Sequence, residues 1–403
     1  MTSAASWASC GAMALTGDAD GAPLVPAANA ADQIGWALRP FGLDAGVLAE
    51  RAAIRGLTRS GLHSCGGGTR LLPAADGWVA LTLSRPDDVA ALPAVFEVEP
   101  ERFSRGPADV GEAAPWDEVA QLIAERPAEE VAARTRLLGV PAGIVGAGSG
   151  AFTTEQRGPG RARGSEPPPP PRIVDLTSLW AGPLAASCLQ LLGAEVIKVE
   201  DERRPDGARR GHPGFYDLLN AGKRSVALDL AAAGDQARLL ALVMAADIVI
   251  TSGRATALHR LGLDPDAYLA GGTDRTWVAI TAHGWADDRV GFGDDVAATA
   301  GLVAWHPDGR PRFAGDAIAD PIGGARAAAA ARAAWHRGGR WFIDASLGGA
   351  AADTLDAVQA TARAAAGPPW TIDGEPVARP EGRIAAGPAA ELGADTDAVL
   401  AER

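Results

Sequence analysis

From residue 172 onward the chain switches between two hydrophobic periods. A short apolar run at 173–176 is bounded by Thr177 and Ser178. An Ala-Gly-Pro turn at 181–183 follows, then a helical run over 184–192 that stops at Gly193. A second strand-like run occupies 195–200. Strand, tight turn, helix and strand predict one right-handed βαβ crossover, the seed of a doubly wound parallel sheet. Further strands are predicted at 225–230, 247–250, 277–281 and 341–345, with helices at 231–245, 255–261, 324–335 and 347–365. Strand and helix alternating at this spacing indicate an α/β fold with a Rossmann-like parallel sheet. Ligands of such sheets sit at the strand C-termini, so the turn 177–183 is expected to face a nucleotide-like ligand.

The earlier part of the chain has a different pattern. Gly66-Gly67-Gly68 leads into an alternating run at 69–72, a turn at Asp76-Gly77 and a strand at 78–83, which together predict a hairpin. Helices follow at 87–96, 116–124 and 128–138, the last closing at Gly139, and then a short strand at 140–145. Residues 66–148 therefore form a smaller α+β domain. Residues 1–65 carry helical patterns at 7–15 and 27–38 around a Gly/Asp turn at 16–23. Residues 149–171 are rich in Gly, Arg and Ser and end in five prolines, 167–171, a stiff solvated tether without chemistry. The tether separates the small domain from a sheet domain over 172–350. Residues 351–403 form a C-terminal tail with turns at Pro368-Pro369 and Asp373-Gly374 and a short helix near 396–401.

Composition narrows the class of ligand. A chain of 403 residues has room for two or three domains and a substantial core, and 47% hydrophobic with 22% charged residues is ordinary for a soluble globular protein. The net charge of −13 argues against nucleic acid as a partner and leaves an anionic ligand only a locally basic pocket. Cys10, Cys65 and Cys188 lack metal-ligand spacing, so no metal is expected and reduced thiols are the simplest account. The N-terminal MTSAASWASCG has no basic segment ahead of an apolar core, and no apolar run reaches about 18 residues. A cytoplasmic protein without a membrane partner is the expectation.

The turn 177–183 lacks G-x-G-x-x-G, which disfavours an NAD-dependent dehydrogenase. Five stretches instead resemble the class III CoA-transferases (CaiB/BaiF type), which include formyl-CoA transferase, the carnitine CoA-transferase group and the related α-methylacyl-CoA racemases. They are DLTSLWAGP (175–183), LGAEVIKVE (192–200), NAGKRSVALDL (220–230), ADIVI with LHRLGL (246–263) and FAGDAIADPIGG (313–324), in the family's order over about 150 residues. Each is weak alone, and five in order are specific. The segment order departs from the family. The stretch resembling its small domain, from GGGTRLLPAADGWVAL to LLGVPAGIVG, precedes the sheet here, whereas ELGADTDAVL resembles the usual final helix. The chain thus resembles a circular rearrangement. AANAADQIG (27–35) also resembles GDAIADPIG (315–323), which sets Asp32 opposite Asp320 and makes residues 1–65 resemble the truncated remainder of a second copy.

The resemblance implies an acyl-CoA:carboxylate CoA-transferase, with coenzyme A esters and carboxylic acids as its small-molecule partners and a homodimer as its assembly. It places the catalytic aspartate at Asp320, a carboxylate that attacks the thioester and passes through a mixed anhydride to an aspartyl-CoA thioester. Residue types alone allow Asp320, ahead of Pro321, to be a helix cap, and Asp316 to be a surface or capping residue. Gly66, Gly67 and Gly68 resemble, one glycine short, the loop that covers the reacting centre, and their N–H groups could meet an acyl oxyanion. As a bland alternative they lead into the hairpin. Coenzyme A is expected near Leu179, Trp180, Ala181, Ser252 and Arg260, with Lys223 and Arg224 nearby, where basic side chains suit its phosphates. Any one of these could equally be solvated surface. Two departures matter: Trp180 stands where formyl-CoA transferase carries Gln, and Asp201 where a basic residue often sits, with Arg203 or Arg204 as its substitute. Formyl specificity therefore does not carry over. The racemase branch needs a His in a G-H-D sequence, whereas this chain has Gly293-Asp294-Asp295 and only a loop histidine, His283, nearby. An inactive coenzyme A binder and a racemase or epimerase are the competing functions.

Overall fold

The computed structural model describes residues 3–160, 168–357 and 360–402. The chain opens with helices α1 (Ser3–Ser9), α2 (Ala30–Leu38) and α3 (Glu50–Arg55). Strands β1 (Thr69–Pro73), β2 (Trp78–Thr82) and β3 (Ala142–Ile144) then form an antiparallel sheet in that order. Its helices bury Phe96, Trp116, Val119, Ile123 and Val131 against Leu72, Val79 and Leu81. The predicted helix at 87–96 is two, Pro86–Ala90 and Leu92–Phe96, because Pro93 starts a fresh first turn.

The large sheet has seven strands. In chain order they are β4 (Thr153–Gly158), β5 (Arg172–Leu176), β6 (Glu195–Asp201), β7 (Arg224–Leu228), β8 (Ile248–Thr251), β9 (Arg275–Thr281) and β10 (Arg340–Ser346). Their spatial order is β4-β10-β9-β8-β5-β6-β7, parallel throughout except at the edge strand β4. The chain leaves β5 toward β6 and β7, then returns to β8 on the other side. That reversal is the switch point at which such sheets leave a crevice. Alternate strand residues enter two cores. Ile173, Ile248, Ile250, Val278 and Ile343 face helices α4 (Ala181–Leu191) and α6 (Ala319–Arg337), whereas Val174, Val249 and Trp277 face Leu239, Val243 and Tyr268. A further helix, α5 (Gly293–Ala300), stands between β9 and α6. Gly324 lets α6 cross α4 closely, since a Cβ there would come within 2.5 Å of the Ala181 carbonyl.

Three expectations change. The tether is not wholly without structure: β4 pairs antiparallel with β10, Thr154 opposite Ile343 and Glu155 opposite Phe342. Five of its residues, TTEQR, are polar and exposed; backbone pairing with β10 and the Arg157 side chain, which meets Asp266 at 2.9 Å and lies over the Phe342 ring, hold this strand, and no hydrophobic period announces it. Residues 161–167 of that tether, Pro167 included, lie outside the described residues. The helix expected over 347–365 ends at Ala352, where the chain turns to meet the N-terminal segment: Asn29 donates to the Thr354 carbonyl, and Leu24 and Val25 pair with Ala364 and Arg363. That segment is not a separate body, because Trp7 and Ile34 are buried in the same core as α4 and α6.

Candidate active site

Asp320 is the second residue of α6, in the first turn, where a carboxylate meets the positive end of the helix dipole and Pro321 forgoes no hydrogen bond. The turn before it is tight, with Gly315 at φ +67° and Ala317 at φ +42°. The Ala317 N–H is fixed by Asp294 Oδ1 at 2.8 Å, so the first turn of α5 sets the start of α6. Asp320 is half-buried, and its carboxylate lies against Gly293, where a Cβ would stand 2.5 Å from Oδ2. Burial pushes that carboxyl up to about 7; Asp316 adds to the rise, while the Arg51 charge and the Gly293 N–H oppose it. Asp294 and Asp295, both buried, are likewise pushed up to about 7, chiefly by burial.

The cation of this cluster comes from α3. Arg51 Nε donates to Asp316 Oδ2 at 2.7 Å while Nη2 reaches Oδ1, a two-pronged grip on a carboxylate with no exposed surface. Asp316, expected as a surface or capping residue, is therefore buried and paired. The guanidinium stands over the Trp180 ring, 5.0 Å from its centroid. Arg51 is held above its ordinary value: burial opposes its charge, and Asp316 outweighs burial. On the other side of α3, Arg383 pairs with Glu50.

The three glycines divide. Gly66 lies beside Arg51, where a Cβ would stand 3.5 Å from Nη2. Gly67, at φ +75°, and Gly68 are hemmed in by Glu112 and Ser84 of the small domain, and the Gly67 N–H is spent on the Ser64 carbonyl. Structure alone explains the latter two. The neighbouring Cys65 thiol, donating to the Gly315 carbonyl at 3.3 Å, is held well above its ordinary value by burial and by Asp316 and Asp294.

The turn after β5 carries the other expected contacts. Leu179 is exposed at φ +70°, a left-handed conformation held by its N–H to Asp206 Oδ1 at 3.0 Å, and the Ser178 N–H reaches Ser252 Oγ at 3.3 Å across the switch point. Trp180 is buried edge-on to Phe215, and its indole N–H finds no acceptor among the described residues. Ala181 begins α4 and touches Gly324, one helical turn beyond Asp320. This contact, and Arg51 bridging Trp180 to Asp316, join the turn to the carboxylate.

Lys223 and Arg224 do not reach this mouth. Lys223 is buried under the turn, donating to Asp175 at 2.9 Å, the Pro183 carbonyl at 3.0 Å and Asn220 at 3.1 Å, so it braces the turn. Lys198 does the same from β6, to the Thr177 carbonyl at 2.8 Å and Asp206 at 3.0 Å. Arg224 starts β7, at the opposite end of the sheet, and pairs with Glu195 and Glu402. Arg203 is exposed beyond β6 and pairs with Asp229. Ser252 and Arg260 are exposed beyond β8, together with Arg254, which sequence reasoning did not single out. Asp32 is exposed on α2 and bonded by Ser6. His283 is buried against Ser149 Oγ at 2.9 Å and lowered to about 4 by burial. Arg51 and Asp294 were also missed; no local motif marks either.

A family model described as CoA-transferase family III matches residues 171–376. The chain is similar to the succinate–glutarate CoA-transferase of Agrobacterium fabrum, 32% identical over 181 residues that cover 40% of this chain and 45% of that protein. It is similar also to a probable fatty acyl-CoA transferase of Mycobacterium tuberculosis, 34% identical over 155 residues, 35% of this chain and 39% of the relative. The matches thus span less than half the length of these curated relatives. Among solved structures, a CAIB/BAIF family protein from Brucella suis is matched over 47% of this chain and 55% of its own, at 26% identity and a TM-score of 0.42.

Proposed function

Because the chain belongs to CoA-transferase family III, we propose that it moves coenzyme A between carboxylic acids with Asp320 as the nucleophile. The ionised carboxylate attacks the acyl-CoA carbonyl, forming a mixed anhydride and releasing the CoA thiolate. The thiolate attacks the aspartyl carbonyl of that anhydride, giving the aspartyl-CoA thioester and the first free acid. The incoming carboxylate then attacks this thioester, and the thiolate it expels takes the new acyl group and leaves Asp320 free. The supporting observation is the half-buried Asp320 carboxylate at a helix N-terminus, one turn from the α4–α6 contact at the switch point.

The coenzyme would lie along Leu179, Trp180 and Ala181, its phosphates toward the exposed Ser252, Arg254 and Arg260. Of the triplet, Gly66, beside Arg51, would be the glycine that approaches the acyl group. Trp180, bulky and without an amide, favours an acyl group other than formyl. On this reading residues 66–148 are the small domain of a circularly rearranged chain, and a homodimer is the expected assembly, to be checked by light scattering.

Incubation with an acyl-CoA and hydroxylamine, read by mass spectrometry, is expected to leave a hydroxamate on Asp320. Asp320→Asn, which keeps the size of the side chain and removes its charge, is expected to abolish exchange of labelled acid into the thioester. Undiminished exchange in that variant overturns the assignment. Deuterium entering the α-carbon without acid exchange would point to the racemase reading instead.

A further inference from the structure

Resting on the transferase reading, we propose that Asp206 is a positioning residue for the coenzyme: its buried carboxylate holds Leu179 in a left-handed conformation that keeps an apolar side chain exposed at the switch point. An exposed leucine is ordinary in itself. Leu179 is 42% exposed and also stands at φ +70°, where its Cβ crowds its own backbone. A side chain so open to solvent adds little to the core, so folding alone gives no return for that conformation. Strain of this kind persists only where the surroundings impose it, and it gathers at ligand sites.

The surroundings here are side chains from three strands. The Thr177 N–H donates to Asp175 Oδ1 at 3.0 Å, the Ser178 N–H to Ser252 Oγ at 3.3 Å and the Leu179 N–H to Asp206 Oδ1 at 3.0 Å. Asp175 belongs to β5, Ser252 follows β8 and Asp206 follows β6. Asp206 is itself fixed: its side chain has no exposed surface, Lys198 meets Oδ2 at 3.0 Å, and its N–H donates to Glu200 Oε1 at 2.9 Å. Three successive N–H groups are thus spent within the protein, and none of the three is left to cradle a phosphate as a glycine-rich turn would. What this stretch presents instead is the Leu179 side chain. That suits an uncharged part of the coenzyme and leaves its phosphates to basic side chains such as Arg254 and Arg260.

The test is the dissociation constant of coenzyme A, measured by calorimetry on the full chain and its variants, with folding checked by circular dichroism. Asp206→Ala is expected to weaken binding about tenfold, and so is Leu179→Gly, which removes the side chain and the strain together. The double variant is expected to lose no more than either single one, because without Leu179 the Asp206 carboxylate has no strained residue to hold. Asp206→Asn keeps an oxygen for the Leu179 N–H and takes the charge away from Lys198, so it is expected to lose stability and keep its affinity. If Asp206 served the fold alone, affinity would follow stability across the variants. If Asp206→Ala does not fold, Asp206→Asn and Leu179→Gly, the latter at an exposed position, carry the test. Losses that multiply to about a hundredfold in the double variant, wild-type affinity in Leu179→Gly, or an affinity of Asp206→Asn that falls with its stability each overturn the proposal. A wild-type chain that binds coenzyme A, whose variants show the expected pattern, yet which exchanges no labelled acid, retires the transferase reading alone. A wild-type chain that binds no coenzyme A overturns both.

Discussion

The bare Cα of Gly293 lies so near the Asp320 carboxylate that a Cβ would stand 2.5 Å from Asp320 Oδ2. The same Cβ would come within 2.3 Å of the Ala317 carbonyl, a backbone atom that cannot swing aside. Gly293→Ala must therefore shift the turn that carries the nucleophile. Misplacing a reacting group by a fraction of an ångström to 1 Å costs about a hundredfold in rate. The variant is expected to lose about that much in kcat at near-wild-type helix content, and steady-state kinetics beside circular dichroism check it.

Asp320 must be ionised to attack, and its carboxyl is pushed up to about 7. Below that value the reactive fraction falls tenfold per pH unit. Transfer is therefore expected to rise with pH to a plateau above about 7, where most carboxylate nucleophiles would already be ionised near about 5. A pH profile of kcat/KM for acyl-CoA checks it.

Stability is expected to run the other way. Asp295 has an ordinary value of 3.8 but is pushed up to about 7 in the fold by burial. The folded state thus holds its proton where the unfolded chain has lost it. The stability this confers is complete below about 4 and is lost as pH rises through about 7. Asp294 and Asp320 shift in the same direction. The melting temperature is expected to fall between about pH 5 and about pH 8. Asp295→Asn keeps an oxygen for Thr82 Oγ1 and the Phe292 N–H, both at 2.9 Å, and removes the charge. Its melting temperature at about pH 8 should exceed that of wild type by several degrees, the gap closing at about pH 5; calorimetry at the two pH values decides.

Much of the sheet was legible because its strands are short apolar runs and its helices stop at glycines such as Gly193. Asp320 was legible as part of FAGDAIADPIGG, where order along the chain carries the information. Arg51 was not, because its partners Asp316 and Trp180 are reached only by folding a segment with little period of its own against the sheet domain. Lys223 shows the converse difficulty. A lysine beside a strand has the same sequence signature whether it meets a phosphate or a buried Asp175. Strand β4 has no apolar period of its own and forms where β10 offers its edge.

The basic residues provide the last prediction. Lys223 and Asp175 are both buried, so Lys223→Met leaves a carboxylate without its cation beneath the turn after β5. Breaking such a pair from one side costs about 3–5 kcal/mol, and Lys223→Met is expected to unfold at correspondingly lower urea. Arg224 pairs with Glu195 and Glu402 in partly exposed positions at the far end of the sheet. Arg224→Ala should change stability by less than about 1 kcal/mol and leave KM for acyl-CoA untouched. Arg254 and Arg260 stand exposed past β8, at the mouth where the coenzyme phosphates are proposed to lie. Replacing both with Ala removes two charge-assisted contacts to phosphate, and KM is expected to rise about tenfold or more with kcat little changed. Added salt, which screens such contacts, should raise the wild-type KM and narrow that difference. A KM that responds to Arg224 and ignores Arg254 and Arg260 would place the coenzyme at the wrong end of the strands.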